Sequence, residues 1–172
     1  MSVHPSTRHA LAPLFLRLIL GIGFVFHGYG KLFAEGGHAG FAGMLSGIGV
    51  PAPEFMAWFV AILEFGGGIA LILGIWIPLI TALLTVNMLV AMFTVHLPAG
   101  FNFINITGMT ESGPQFGLPG FEVNLLYIAG LLSLLASGPG AYNLVALTDR
   151  WTGAVPDHPE EERITDRLRR AG

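Results

Sequence analysis

Hydrophobic residues dominate four stretches of the chain, at about residues 11–33, 55–75, 77–97 and 121–137. A membrane-spanning helix needs roughly 20 apolar residues. The first three stretches can therefore cross a bilayer, and the fourth is expected to continue a little beyond its ends. The pattern predicts an all-α integral membrane protein, a bundle of four transmembrane helices.

The connections between these stretches differ in character. Residues 34–54 are rich in glycine, but apolar side chains recur at helical spacing and predict a short amphipathic helix at the membrane interface: Phe41, Met44, Leu45 and Ile48. The turn at Pro78 is so short that the second and third helices should form an antiparallel hairpin. Residues 98–120 are polar and rich in glycine, proline and asparagine, which predicts an extracytoplasmic surface loop.

The first span contains three ionisable residues, Arg17, His27 and Lys31. At about 100° per residue they share one sector of the helix, about 120° wide, with Gly21, Phe24 and Gly28. The opposite side is purely apolar. Because an ionisable group is costly in hydrocarbon, the polar face should look into the protein interior, where a functional site is expected.

The other spans also contain polar residues. Glu64 lies near the middle of the second span, on a face of mostly small residues that lets a neighbouring helix approach: Ala57, Val60, Ala61, Gly67, Gly68 and Leu71. Asn87 lies in the third span. His96 and Glu122 lie near the rim, where water can hydrate them, and His96 points to the opposite side of its helix from Asn87.

Counting helical rise from the span ends predicts a polar cluster in the outer half of the bundle. It is built around His27, Lys31 and Glu64, and Asn87, His96 and Glu122 could complete it. His27 and Glu64 come out within about one turn of each other in depth, so they are the candidate proton-handling catalytic pair.

Each of these residues also has a structural interpretation. Arg17 and Lys31 could extend to the headgroups, and His27 could be a hydrogen-bonded structural histidine. For His96 and Glu122 the structural interpretation is favoured. The sequence leaves open whether a cation keeps Glu64 ionised or burial leaves it neutral.

Composition supports a membrane protein and excludes several functions. Hydrophobic residues make up 53% of the chain and charged residues 11%, and the mean hydropathy is +0.68. A net charge of -3 gives no basis for nucleic-acid binding. The chain has no cysteine, so it cannot form a disulfide, a thiolate metal site or a dithiol relay. No metal site is predicted, and the lipid bilayer is the first expected partner.

Charge distribution predicts the topology. All basic residues outside the spans lie in the terminal segments: Arg8, Arg150, Arg163, Arg167, Arg169 and Arg170. By the positive-inside rule both termini should be cytoplasmic. The expected organisation is one transmembrane domain at 1–147 and a cytoplasmic tail at 148–172 containing a short helix.

Several motifs, taken in order, resemble the DoxX family over about residues 11–147. They are Arg17 and His27-Gly28-Tyr29-Gly30-Lys31-Leu32, the link containing Phe41, Glu64-Phe65-Gly66-Gly67-Gly68 with Leu71 to Gly74, Phe93 to Phe101, and Gly138-Pro139-Gly140-Ala141-Tyr142. One departure is clear. After the Gly-Pro-Gly the family usually has Arg-Tyr-Ser-Leu-Asp, whereas this chain has Ala141-Tyr142-Asn143-Leu144-Val145 and lacks both charges.

The resemblance implies a four-helix protein of the bacterial inner membrane. Some members are associated with quinone-linked thiosulfate oxidation or with redox complexes for oxidative stress. For this chain it implies a redox context, with a quinone as the cofactor to consider and a redox protein as a partner to consider. The sequence leaves open whether the chain forms a homo-oligomer. It does not by itself imply an enzymatic activity.

Two classes of function follow. In the first, the protein is the membrane component of a redox system, and the bundle holds a quinone or a proton path served by His27 and Glu64. In the second, it is a noncatalytic scaffold or a protein that binds a lipid or small molecule, and the polar groups fix helix register. A transporter fits less well, because four spans without repeat symmetry give little room for alternating access.

Overall fold

The computed structural model describes residues 5–144 and 146, with side chains from residue 11 onward, and most of this part is helical. Its helices are α1 (Pro5–Phe33), α2 (Gly37–Gly47), α3 (Pro53–Leu73), α4 (Ile77–Ala91) and α5 (Glu122–Ser137), and its strands are β1 (Ile106–Thr110) and β2 (Gly113–Phe116). The predicted helix of the tail lies outside the described residues.

Three helical segments are long and apolar enough to cross a membrane: Leu11–Phe33, Pro53–Leu73 and Ile77–Ala99. The first three predicted spans are thus confirmed, with small shifts at their ends. Helix α5 is apolar but has 16 residues, about 24 Å of helix against a hydrocarbon core of about 30 Å. A fourth span therefore stays a prediction.

Glycines let α1 and α3 pack closely and antiparallel. A Cβ added at Gly68 would lie 2.7 Å from the carbonyl oxygen of Gly21, and one added at Gly28 would lie 2.7 Å from the Cα of Phe65. Side chains at these positions would push the helices apart, since real Cβ atoms do not approach so closely. The contacts of Gly21 with Gly68 and of Gly28 with Phe65 therefore set the register of α1 against α3.

Helix α5 packs against α1 and α4. On the α1 side, the Tyr127 ring stacks edge-on against Phe24 with centroids 5.1 Å apart, and Leu20 lies against Gly130. The main core draws on all four long helices: Leu20, Phe24, Leu71, Ile77, Leu84, Leu131 and Leu134.

The short helix predicted between the first two spans is present as α2. Its residues Ala42 and Leu45 are buried with Ala57 of α3 in a second, smaller apolar cluster. Helix α2 therefore lies against one end of α3, next to the first turns of that helix.

The end of α4 departs from regular helix. Residues Met92–His96 form a π-helical turn and Leu97–Ala99 a 3-10 turn. Because a π turn has more residues per turn, it rotates the side chains that follow it. The direction in which His96 points therefore cannot be extrapolated from Asn87.

Residues 98–120 are more regular than predicted. An antiparallel two-stranded hairpin, β1 paired with β2, occupies the middle of the segment. The two strands were not predicted from the sequence because they are short, contain glycine and proline, and are interrupted by a bulge, so the alternation typical of a strand is weak.

A belt of exposed apolar side chains surrounds the helices. On α1 it includes Phe15, Ile19, Ile22 and Phe26, and it continues on the other helices through Phe59, Ile62, Leu83, Val86, Val90 and Leu126. A surface of this extent is unfavourable in water, and hydrocarbon is its natural solvent.

Candidate membrane-embedded polar site

A buried ion pair joins α1 to α3. The ammonium of Lys31 donates to Oε2 of Glu64. The side chain of Glu64 is 9% exposed and that of Lys31 is 20% exposed. The carboxylate thus lies inside the protein, whereas the ammonium is partly open to the surroundings.

Local helix packing explains why these two residues meet. Gly28 lies against the backbone of Phe65, and Lys31 is one turn beyond Gly28 on the same face of α1. Glu64 directly precedes Phe65. The flexible four-carbon stem of lysine lets the ammonium reach a carboxylate at a different depth from its own Cα.

Two further elements complete the site. From α4, the Asn87 amide donates from Nδ2 to Oε1 of Glu64 at 3.1 Å. From α2, the Phe41 ring lies 4.9 Å from Nζ of Lys31, measured to the ring centroid, which is within cation–π range. Both carboxylate oxygens of Glu64 therefore have a donor, and each side of Lys31 is in contact with a different helix.

His27 is outside this set. Its side chain is exposed, and among the described residues it makes no hydrogen bond with Glu64. The structure thus pairs Glu64 with Lys31 rather than with His27. The helical-wheel sector was too wide to separate the two residues, since both lie on the polar side of α1.

Arg17 lies far from the cluster. It is 14 positions before Lys31 on the same helix, which corresponds to about 21 Å. The guanidinium is fully buried and donates from one Nη to the carbonyl of Tyr142, after α5. Its Nε and other Nη have no hydrogen-bond partner within the described part of the chain. Arg17 thus connects α1 to the segment after the Gly-Pro-Gly.

His96 and Glu122 hold the hairpin segment and make no hydrogen bond to the ion pair within residues 11–144. Nδ1–H of His96 donates to the carbonyl of Pro119 at 2.8 Å. Oε2 of Glu122 accepts from the backbone amide of Phe103 at 3.0 Å. Both contacts join the hairpin segment to neighbouring helical turns, and a structural role for His96 and Glu122 stays a prediction.

Sequence reasoning did not assign Phe41 to the site. Its helical spacing with Met44 and Leu45 predicted α2 but gave no sign that the ring would lie over Lys31. The sequence offered one indication of this contact: Phe41 is an aromatic residue on the predicted helix that follows the Lys31 end of the first span. A cation–π contact across two helices cannot be inferred from that signal alone.

The fold and this site define the class of protein: a multi-pass helical membrane protein with an ion pair buried between its helices. The chain belongs to the DoxX family, whose sequence profile matches residues 12–97. The matched region contains the whole site, since Lys31, Phe41, Glu64 and Asn87 all lie within it.

Two relatives show how far the similarity extends. "Inner membrane protein YqjF" of Escherichia coli (strain K12) is 32% identical over 140 residues, which cover 80% of this chain and 92% of that protein. "Putative oxidoreductase CatD" of Bacillus subtilis (strain 168) is 34% identical over 91 residues, covering 53% of this chain and 64% of that protein. No solved structure gives a significant match.

Proposed function

We propose that this protein is the membrane component of a redox system in the bacterial inner membrane, and that its polar site binds the head of a quinone. The observation that carries the proposal is the buried Glu64 carboxylate paired with a partly open Lys31 ammonium. The names of the two relatives, "Inner membrane protein YqjF" and "Putative oxidoreductase CatD", agree with this setting.

The energetics of the site favour a functional role. Placing two charges among membrane helices costs several kcal/mol of desolvation, and the attraction between them offsets that cost only in part. An apolar pair of similar volume would pack α1 against α3 at least as well. The presence of the ion pair is therefore easier to explain by ligand binding or proton handling than by stability.

The donors fit a quinone head. Lys31 has three N–H groups, of which Glu64 accepts one, so others remain for a carbonyl oxygen of a ligand. Quinone reduction takes up two electrons and two protons. A redox partner protein would supply the two electrons, because this chain has no cysteine and so no dithiol that could donate them. The Lys31–Glu64 pair would pass the two protons, which come from the adjacent water.

The proposed topology places the site in the outer half of the membrane. All Lys and Arg residues outside the predicted spans lie in the terminal segments, so both termini are assigned to the cytoplasm. Helices α1, α3, α4 and α5 then cross as a four-helix bundle, and α2 and the hairpin lie on the outer side. The Lys31 end of α1 faces that side.

Binding of quinone to purified protein in lipid nanodiscs tests the proposal. The wild type should retain quinone on purification or bind added ubiquinone or menaquinone, detected by extraction and chromatography. Lys31→Met should weaken binding at least about tenfold, the loss expected when one charged hydrogen bond to the ligand is removed. Glu64→Gln should also weaken binding, because it removes the carboxylate that holds the Lys31 ammonium in place. Glu111→Gln, the same chemical change at the exposed turn of the hairpin, is the matched control.

The alternative is a noncatalytic scaffold, and one observation favours it: every oxygen of Glu64 already has a protein donor. In that case the ion pair only fixes the register of α1, α3 and α4. Quinone binding that is absent in the wild type, or equal in Lys31→Met and Glu111→Gln, would support the scaffold and contradict the redox proposal.

A further inference from the structure

The hairpin of β1 and β2 has one wholly apolar face. Opposed residues in an antiparallel pair lie on the same side of the sheet, and the pairs Ile106 with Phe116 and Met109 with Pro114 consist only of apolar residues. The opposite face carries Gln115 and small residues. The hairpin is therefore amphipathic across its two faces.

A β-bulge produces this arrangement. The register shifts between Ile106 and Gly108, so Thr107 is the extra residue. In a regular strand Ile106 and Met109, three positions apart, would point to opposite sides. The inserted residue brings both to one side, which a simple alternation pattern would not reveal.

The apolar face is uncovered in the described structure. Ile106 is 55% exposed, Met109 75% and Phe116 66%. An isolated two-stranded hairpin is marginally stable in water, and it needs a surface against its hydrophobic face. Such a surface must come from outside the described residues.

The base of the hairpin is tied to the helix ends. Besides the contacts of His96 and Glu122, the Asn105 side chain donates to the carbonyl of Leu118 at 2.9 Å. The backbone amide of Gly120 donates to the carbonyl of Asn102 at 3.0 Å. These bonds hold the base of the hairpin to the turns that follow α4 and to the start of α5.

We propose that the apolar face of the hairpin lies on the lipids of the adjacent leaflet, which is the outer leaflet in the topology proposed above. Phe93 and Leu97 are exposed and belong to the apolar segment Ile77–Ala99. Along the chain from there, exposed apolar residues recur at Phe103 and Ile104 up to the hairpin, with no Asp, Glu, Lys or Arg between them. This continuity with a candidate membrane span favours lipid over a protein partner.

Charge supports the same occupant. Residues 98–120 contain one charged residue, Glu111, and it lies in the turn farthest from the base. With no lysine or arginine the hairpin has no attraction for anionic headgroups, so its contact is with the apolar edge of the leaflet. Zwitterionic lipid should be sufficient to bind it.

Single cysteines can test the proposal directly, because the natural chain has none. Met109→Cys places a thiol on the apolar face, and Gln115→Cys places one at a similar height on the other face. Each variant is placed as a single copy in nanodiscs of zwitterionic lipid and treated with a water-soluble maleimide. Phe116→Cys repeats the measurement from β2 should the first variant prove unstable.

The cysteine on the apolar face should react at least about tenfold more slowly, since a thiol in apolar surroundings is less ionised and less accessible. A fluorophore attached there should also be quenched by lipids spin-labelled near the headgroup. Equal reaction rates on the two faces would overturn the proposal. Protection that appears only with two copies per disc, or only in native membranes, would also overturn it and would assign the face to a second copy or another protein.

Discussion

A double-mutant cycle on Lys31 and Glu64 measures how strongly the ion pair holds α1 to α3. Lys31→Met keeps the apolar stem and removes the charge, which leaves a carboxylate that is 9% exposed without its cation. Breaking a buried pair in this way costs about 3–5 kcal/mol of the free energy of unfolding.

Glu64→Gln should cost less, about 1–3 kcal/mol. The glutamine oxygen still accepts from Asn87, and Lys31, which is 20% exposed, can turn its ammonium toward the interface. The double variant has neither charge, and its glutamine at position 64 can still accept the hydrogen bond from Asn87. Its free energy of unfolding should therefore be close to that of Glu64→Gln alone. The expected coupling energy therefore equals the Lys31→Met effect in size, about 3–5 kcal/mol.

Reversible unfolding in bicelles, followed by tryptophan fluorescence, gives the four free energies under one condition. The coupling energy calculated from these four values shows whether Lys31 and Glu64 stabilise the protein through each other. If the two single effects added to within about 0.5 kcal/mol, the residues would not interact energetically, and the site as described here would be refuted.

Three further predictions concern packing and topology. Gly28→Val should separate α1 from α3 and destabilise the protein by about 1–3 kcal/mol, whereas Gly66→Ala, where an added Cβ meets no atom within 4 Å, should cost little in the same unfolding assay. Gly74→Ala should lower the free energy of unfolding by more than about 1 kcal/mol in the same assay, because φ is 73° there and the new Cβ would collide with the Arg17 guanidinium. An alkaline phosphatase fused after Trp151 should be inactive, since that residue is assigned to the cytoplasm; strong activity would contradict the topology.

Much of the helical framework could be predicted from the sequence. A bilayer requires a long apolar run for each span, and that requirement limits where helices begin and end. The start of the third span at Ile77 and the end of the first at Phe33 were predicted at the residues where the structure has them. The small-residue face of α3, including Ala57, Ala61 and Gly68, is buried as expected, because helices in a membrane associate through small residues.

The candidate site could be predicted only in part. Lys31, Glu64 and Asn87 were all in the predicted cluster, and the structure brings these three together. His27 was chosen as the partner of Glu64 from Cα depth, a measure that ignores side-chain length. A lysine can reach along the helix by a full turn, whereas a histidine cannot, so the partner depends on side-chain reach as well as on depth.

The sequence by itself determined that this protein lies in a membrane, which segments form its long helices, and which faces of α1 and α3 are polar or closely packed. These properties depend on local hydrophobicity and helical periodicity, so they can be read along one segment at a time. The tertiary structure alone decided that Phe41 lies over Lys31, that the π turn redirects His96 to Pro119, and that a bulge gives the hairpin an apolar face. The first two depend on which segments meet in the folded protein, and the third depends on the pairing register of two strands, so none of them follows from the pattern of a single segment.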